Sequence, residues 1–334
     1  MPLKKRFNPG ALQSRPLGGT SSGCNNLKPQ GKIIFIVGPT AAGKSAVAAA
    51  LAKRLKSHVL SCDSMQVYKG MDIIASKPAS ALRKKIKHHF ISSVSCQQEY
   101  DVFRYRKEAG EIVDRLTAKG KIPVFCGGTG LYVSVLIDGI FKEGKSDPAL
   151  RKKLYGQARK YGKGYLYNRL KKVDKSAAGR IHPNDLKRVI RALEVFEASG
   201  KPISALQKER KGLSNDYSVK IFCLNMDRAA LYRRIDTRVD NMLKAGLLKE
   251  AKKLLAKQLS RTASAAIGIK ETAGYFEGRH GLEEALRLIK RNTRHYAKRQ
   301  LSWFRKDKRV KWVNIKDKDK PQKIAQRILK LLQG

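Results

Sequence analysis

The residues best suited to chemistry form one short loop, Gly38-Pro39-Thr40-Ala41-Ala42-Gly43-Lys44-Ser45, which fits the phosphate-loop pattern G-x-x-x-x-G-K-S/T. An apolar, β-branched run at 32–37 precedes the loop, and a segment at 45–56 that is rich in Ala, Leu and Lys follows it. These flanks predict a strand and a helix, and in that setting the loop amides and the helix N-terminus bind anionic oxygens. Lys44 would place a positive charge on the phosphates, and the Ser45 hydroxyl is a predicted ligand of Mg²⁺. The loop alone does not indicate whether phosphate is transferred, hydrolysed or released.

Asp63 is a second candidate for chemistry because it directly follows a predicted strand at 58–62. A third predicted strand, 121–126, leads into the glycine-rich turn 127–130. Strands that alternate with helices predict an α/β fold with a doubly wound parallel sheet, in which ligands bind beyond the carboxyl ends of the strands. The phosphate loop, Asp63 and the turn should therefore meet in one crevice. At this level Asp63 is either a metal ligand or a general base.

The middle of the chain, 142–211, lacks strand signals and is predicted to be helical and basic. Its clearest helix, 185–199, has an apolar stripe made of Leu186, Val189, Ile190, Leu193 and Phe196. An apolar run at 219–224 returns to the sheet, and the remaining third of the chain is predicted to be helical. The predicted organisation is a disordered basic arm over 1–30, a P-loop catalytic core over 31–141 and 212–334 with C-terminal helices, and a helical inserted domain over 142–211.

The last long predicted helix, 282–304, carries a basic line of Arg287, Arg291, Arg294 and Lys298. No acidic residue follows Glu284 on this helix, which leaves two interpretations, a solvated face or a phosphate-binding face.

The net charge of +45, from 72 Lys and Arg against 27 Asp and Glu, favours a polyanionic partner such as nucleic acid or an anionic membrane surface. A uniformly basic proteome is the alternative cause. No apolar run is long enough to span a bilayer. The five cysteines are scattered without metal-binding spacing, which favours a reducing cytoplasm.

Six motifs, in order, resemble the tRNA dimethylallyltransferases (tRNA isopentenyltransferases) between about residues 33 and 304. They are the phosphate loop, Asp63-Ser64-Met65-Gln66-Val67-Tyr68-Lys69-Gly70-Met71-Asp72-Ile73, Gly127-Gly128-Thr129-Gly130-Leu131-Tyr132, His182-Pro183-Asn184-Asp185 with Arg188 and Arg191-Ala192-Leu193-Glu194, Ala266-Ile267-Gly268 with Lys270-Glu271, and Tyr296-Ala297-Lys298-Arg299-Gln300 with Trp303-Phe304. The chain departs from the family at Ile74-Ala75-Ser76-Lys77-Pro78, where Gly-Thr usually precedes Ala-Lys-Pro. Ile269 also replaces a common aromatic residue.

The resemblance implies transfer of a dimethylallyl group from dimethylallyl diphosphate to N6 of the adenosine 3′-adjacent to the anticodon, in tRNAs that read codons beginning with U. Diphosphate is released. It implies that Thr40, Arg238 and Asp63 are catalytic, with Asp63 as the base, and that the phosphate loop holds the diphosphate with Mg²⁺ on Ser45. The implied tRNA-binding residues are Asp63, Ser64, Met65, Gln66, Thr129, Arg151, Lys187, Arg188, Val189, Ile190, Arg191, Arg291, Arg294 and Lys298. The partners would be dimethylallyl diphosphate and the tRNA anticodon stem-loop, with no membrane, for a cytoplasmic monomer.

Two other functions stay open. An adenylate isopentenyltransferase would share the core chemistry but act on a free nucleotide. A basic, nucleotide-dependent RNA-binding module would lack prenyl chemistry altogether. The helical segment and the charge of +45 favour a macromolecular acceptor.

Overall fold

The computed structural model describes residues 31–141 and 147–333. The predicted disordered arm, 1–30, and the first residues of the predicted insertion, 142–146, lie outside the described residues.

The centre of the described structure is a fully parallel sheet. Its strands are β1 (Lys32–Val37), β2 (Val59–Cys62), β3 (His88–His89), β4 (Val124–Gly127), β5 (Ser218–Asn225) and β6 (Val310–Asn314). Their order across the sheet is β3-β2-β4-β1-β5-β6. The predicted doubly wound α/β fold is confirmed.

Helices connect the strands and cover the sheet. They are α1 (Lys44–Arg54), α2 (Ser80–Lys85), α3 (Val102–Thr117), α4 (Gly130–Asp138), α5 (Pro148–Tyr161), α6 (Lys163–Val173), α7 (Lys175–Arg180), α8 (Leu186–Ser199), α9 (Ile203–Lys208), α10 (Leu213–Asp216), α11 (Arg228–Lys244), α12 (Leu247–Leu255), α13 (Ile269–Phe276), α14 (Leu282–Phe304) and α15 (Pro321–Gln333). None of the described helices is long and apolar enough to cross a membrane.

Both faces of the sheet are buried, which explains why β1 is continuously apolar. Side chains alternate between the faces of a strand. Phe35 and its neighbours at odd positions pack in one core with α3 and α4, and Ile34 and Ile36 pack in a second core with α1 and α15. Phe35 also stacks on Phe125 with ring centroids 4.6 Å apart. This packing fixes the strand ends that carry the candidate site.

Helices α5–α9 enclose a separate apolar core, to which Leu166, Val189 and Leu193 contribute. Glu194 is buried among them and accepts hydrogen bonds from Arg151 at 2.7 Å and Arg191 at 3.0 Å. Burial raises the pKa of Glu194, but the bonds from the two arginines outweigh it and lower the pKa below its ordinary value. The domain boundaries after 141 and before 212 stay a prediction.

The prediction that the last third is entirely helical is wrong, because β6 extends the sheet as an edge strand beside β5. Within β6 only Val310 and Val313 are buried. They are three residues apart, so the strand lacks the period-two pattern that would have revealed it. The two-residue strand β3 was equally too short to detect.

Candidate active site

The phosphate loop leaves the carboxyl end of β1 and enters α1 directly. At Gly38, where φ is +135°, an added Cβ would lie 2.7 Å from the carbonyl oxygen of Leu224, so only glycine fits between β1 and β5. The Lys44 ammonium donates to the carbonyl oxygen of Pro39 at 2.7 Å and lies over the loop. Burial lowers the pKa of Lys44, while the nearby charge of Asp63 opposes that shift. Lys44 therefore lies in an environment in which an anion would be stabilising.

Asp63 follows the carboxyl end of β2, and its Oδ1 accepts from the amide of Met65 at 2.9 Å. The amide of Ser64, which lies between these two residues, donates to the Thr129 hydroxyl at 3.2 Å. This bond joins the turn to the glycine-rich turn after β4. The predicted convergence of these three loops is therefore present in the structure.

Arg238 reaches the same place from α11, far along the chain. Its Nη1 donates to the Thr40 hydroxyl at 3.0 Å, and its Nε donates to the Ser76 hydroxyl at 2.9 Å. Its Nη2 has no hydrogen-bond partner among the described residues. Burial lowers the pKa of Arg238, and Asp63 opposes this shift. The side chain is thus oriented by protein groups and keeps donors for an anionic ligand.

Gln300 is a site residue whose role sequence reasoning missed. Its Oε1 accepts from the amide of Thr40 at 2.8 Å, and its Nε2 donates to the carbonyl oxygen of Gly128 at 3.0 Å. The side chain, only 5% exposed, therefore connects α14 to two site loops. The available signal was a polar residue on the predicted core-facing stripe of α14.

Two cavities meet at this point. One, of about 350 Å³, lies over the phosphate loop and is lined by Lys44 and Ser45. The other, of about 230 Å³, is largely apolar. Its apolar wall includes Met65, Ile74, Val239, Met242, Ile267 and Ile289. The lining residues shared by both cavities are Thr40, Asp63, Ser76 and Arg238.

A third, larger cleft of about 1070 Å³ shares Tyr296 and Arg299 with the apolar cavity. Its cationic wall is made of Arg180, Arg188, Arg210, Lys298, Arg299, Lys306, Lys308 and Arg309. Burial raises the pKa of Tyr296 to about 12, so its hydroxyl stays protonated between the two spaces. The arrangement can hold an anion, an apolar group and a polyanion in sequence.

The remaining predicted RNA-binding residues have different positions. Thr129, Arg188 and Lys298 line the basic cleft, and Lys187 and Arg291 are exposed. Ser64 and Met65 line the apolar cavity, whereas Gln66 lines the phosphate cavity and accepts from the Ser61 hydroxyl at 3.0 Å. Arg151 and Arg191 are both paired with Glu194.

One expectation about these residues is wrong, and ion pairs add a second finding. The side chains of Val189 and Ile190 cannot contact RNA, because they are 0% and 1% exposed in the core of α5–α9. The basic line on α14 also has acidic partners. Arg287 pairs with Glu284, and Arg294 pairs with Asp236 of α11.

Comparisons with family models and with individual proteins indicate the same family. The model of the family described as IPP transferase matches residues 66–307. A tRNA dimethylallyltransferase from Carboxydothermus hydrogenoformans is 45% identical over 300 residues, which cover 89% of this chain and 96% of the relative. One from Halothermothrix orenii is 41% identical over 316 residues, covering 93% and 96%.

Solved structures agree. The tRNA isopentenylpyrophosphate transferase from Bacillus halodurans is 37% identical with a TM-score of 0.66, covering 90% of this chain and 97% of that one. A eukaryotic dimethylallyltransferase acting on tRNA is 29% identical with a TM-score of 0.72, covering 90% and 78%. The resemblance carried by the motifs is confirmed, and the chain belongs to the IPP transferase family.

Proposed function

We propose that the protein transfers a dimethylallyl group from dimethylallyl diphosphate to N6 of the adenosine 3′-adjacent to the anticodon, in tRNAs that read codons beginning with U. The observation that carries this proposal is the meeting of the phosphate cavity and the apolar cavity at Asp63, with the basic cleft on the far side of Tyr296. This order matches a donor with a charged and an apolar end, followed by a polyanionic acceptor.

The diphosphate binds over the phosphate loop. Lys44 and the unpartnered donors of Arg238 face it, and both gain stabilisation when a negative charge develops on the leaving oxygen. The Thr40 hydroxyl orients Arg238 by accepting a hydrogen bond from its Nη1. The dimethylallyl group then lies in the apolar cavity, where its reacting carbon is next to Asp63.

The acceptor is a weak nucleophile, because the lone pair of N6 is delocalised into the adenine ring. As N6 forms its bond to the first carbon of the dimethylallyl group, the bond between that carbon and the diphosphate oxygen breaks, and its electron pair leaves with the diphosphate. Asp63 accepts the proton that N6 loses. The adenosine must leave its stack to reach the cavity, and cationic contacts in the cleft to the neighbouring phosphates favour this.

Mg²⁺ would bind with the diphosphate. The described residues contain no cluster of three or more His, Cys, Asp or Glu that could hold a metal. Mg²⁺ commonly keeps several waters and is shared between one or two protein oxygens and substrate phosphates. The Ser45 hydroxyl lines the phosphate cavity and fits that requirement. The ion would supply charge neutralisation for the leaving group.

The tRNA is bound by its anticodon stem-loop in the basic cleft, where Thr129, Arg188 and Lys298 contact it. We propose a monomer as the active species, and the cytoplasm, where tRNA is processed, as its compartment.

Mass spectrometry of an anticodon stem-loop tests this function. With dimethylallyl diphosphate and Mg²⁺, an RNA that has adenosine 3′ of the anticodon should gain one dimethylallyl group. The same RNA with guanosine at that position should not react, because guanosine lacks the N6 amine. Reaction of both RNAs, or of neither, would contradict the proposal.

A further inference from the structure

The short loop between Asp72 and Lys77 connects the chemistry to a helix outside the site. Its Ser76 lines both the phosphate cavity and the apolar cavity. The Ser76 hydroxyl accepts from Nε of Arg238 at 2.9 Å and can donate to the carbonyl oxygen of Ile73 at 3.2 Å. Ser76 thus contacts a different nitrogen of the guanidinium from Thr40, and the two hydroxyls together orient Arg238.

A carboxylate from α12 fixes this loop from behind. The two oxygens of Glu250 accept from three consecutive amides, those of Asp72 at 2.9 Å, Ile73 at 2.9 and 3.0 Å, and Ile74 at 2.8 Å. Converging backbone amides form an anion-binding concavity, and here the protein fills it with its own side chain. Glu250 therefore holds the loop and touches neither cavity.

Lys77 anchors the other end of the loop. Its ammonium donates to the carbonyl oxygen of Tyr68 at 2.6 Å, to the Ser92 hydroxyl at 2.8 Å and to Asp72 at 3.0 Å. These three acceptors use all of its donors. Although Lys77 lies beside the phosphate cavity, its charge is directed into the loop and not toward a ligand.

The backbone of Ser76 is strained in a way that glycine would relieve. Its φ is +43°, a region in which side chains with a Cβ are disfavoured. A serine at this position therefore costs stability, and what it adds is the hydroxyl on Arg238.

We propose that Ser76 is a positioning residue that sets the orientation of Arg238 toward the diphosphate, and that Glu250 holds Ser76 in place. The proposal rests on the proposed function only in that Arg238 binds the diphosphate. Ser76 acts through Arg238 and does not touch the reacting atoms.

Ser76→Gly tests the role of the hydroxyl alone, because glycine adopts the positive φ without strain and the backbone conformation is kept. Binding of inorganic pyrophosphate with Mg²⁺, measured by calorimetry, needs no turnover. We expect Ser76→Gly to weaken pyrophosphate binding about five- to tenfold, the size of one typical hydrogen bond, because one of the bonds that orient Arg238 is lost. The affinity for tRNA should be unchanged. Ser76→Asn, which tolerates positive φ and retains an acceptor, should recover most of the loss. Glu250→Gln should weaken pyrophosphate binding. Glu283→Gln, the same change at an exposed site on α14, is the control and should not.

A double-mutant cycle with Arg238→Ala decides how Ser76 acts. If Ser76 works through Arg238, Ser76→Gly should change pyrophosphate affinity less than twofold in the Arg238→Ala background. The proposal would be overturned if the double variant lost affinity by the product of the two single losses, or if Ser76→Gly bound pyrophosphate as tightly as wild type. A wild-type protein that binds no pyrophosphate would also overturn it. Unchanged affinity in Glu250→Gln would remove Glu250 from it. Pyrophosphate binding that depends on Ser76 without any prenyl transfer to RNA would instead refute the proposed function alone.

Discussion

Gln300 offers the sharpest test of how the site loops are held together. Gln300→Met keeps a side chain of similar length but removes both hydrogen bonds. The amide of Thr40 and the carbonyl oxygen of Gly128 then lose their partner. Methionine is apolar and adapts its shape, so little packing is lost.

The size of the effect follows from the burial of the two orphaned groups. A buried polar group without a partner costs about 1–3 kcal/mol. Gly128 is buried and should incur a cost within that range, whereas Thr40 is half-buried beside a cavity that water can enter, so its cost falls at the low end. The sum is about 2–4 kcal/mol of unfolding free energy.

Urea denaturation followed by tryptophan fluorescence measures this loss. The chain has two tryptophans, Trp303 and Trp312, which lie on α14 and β6 and report on the unfolding of both. Gln322→Met, the same change on an exposed position of α15, is the control and should stay within about 0.5 kcal/mol of wild type. Pyrophosphate affinity should also fall in Gln300→Met, because the loop loses its support at Thr40. If this variant unfolds with the control and binds pyrophosphate normally, the bridge has no energetic role.

Three further outcomes are expected. Asp63→Asn should slow prenyl transfer in a single turnover by about 10²–10⁴-fold with tRNA affinity retained, and a rate within a few-fold of wild type would exclude it as the base. Lys298→Ala and Arg291→Ala should each reduce the log–log salt dependence of tRNA binding by about 0.7–0.9, whereas the paired Arg294→Ala should reduce it less and lower the melting temperature; equal slopes for all three would contradict this. The lowered pKa of Glu194 makes its stabilisation complete above its ordinary pKa of 4.5 and lost as pH falls through the lowered value. Melting temperatures between pH 6 and 3 should therefore fall more steeply in wild type than in Glu194→Gln, and parallel curves would show that Glu194 does not contribute.

The sequence was sufficient for the features encoded by neighbouring residues. The phosphate loop, β1 and α1 follow from a contiguous pattern, and the placement of Asp63 follows from the rule that parallel strands end at one edge. The arrangement of Gly38 against β5 agrees with the fixed glycine of the motif.

Contacts between distant parts of the chain were beyond such reasoning. Gln300 meets Thr40 across 260 positions, and Glu250 meets Ile74 across 176. No local spacing encodes these pairs. The same limit explains Arg294, because its partner Asp236 is on another helix and a search along α14 alone could not find it.

The identity of the acceptor is the central claim, and one competition experiment tests it directly. Wild-type protein is incubated with labelled dimethylallyl diphosphate, Mg²⁺, unmodified tRNA and AMP together, and the products are separated by size and digested to nucleosides. We expect the label only in tRNA, on N6 of the adenosine 3′ of the anticodon. Label in AMP would identify a free-nucleotide prenyltransferase, and no label in either would leave a binding protein without prenyl chemistry; each of these results contradicts the proposed tRNA prenyl transfer.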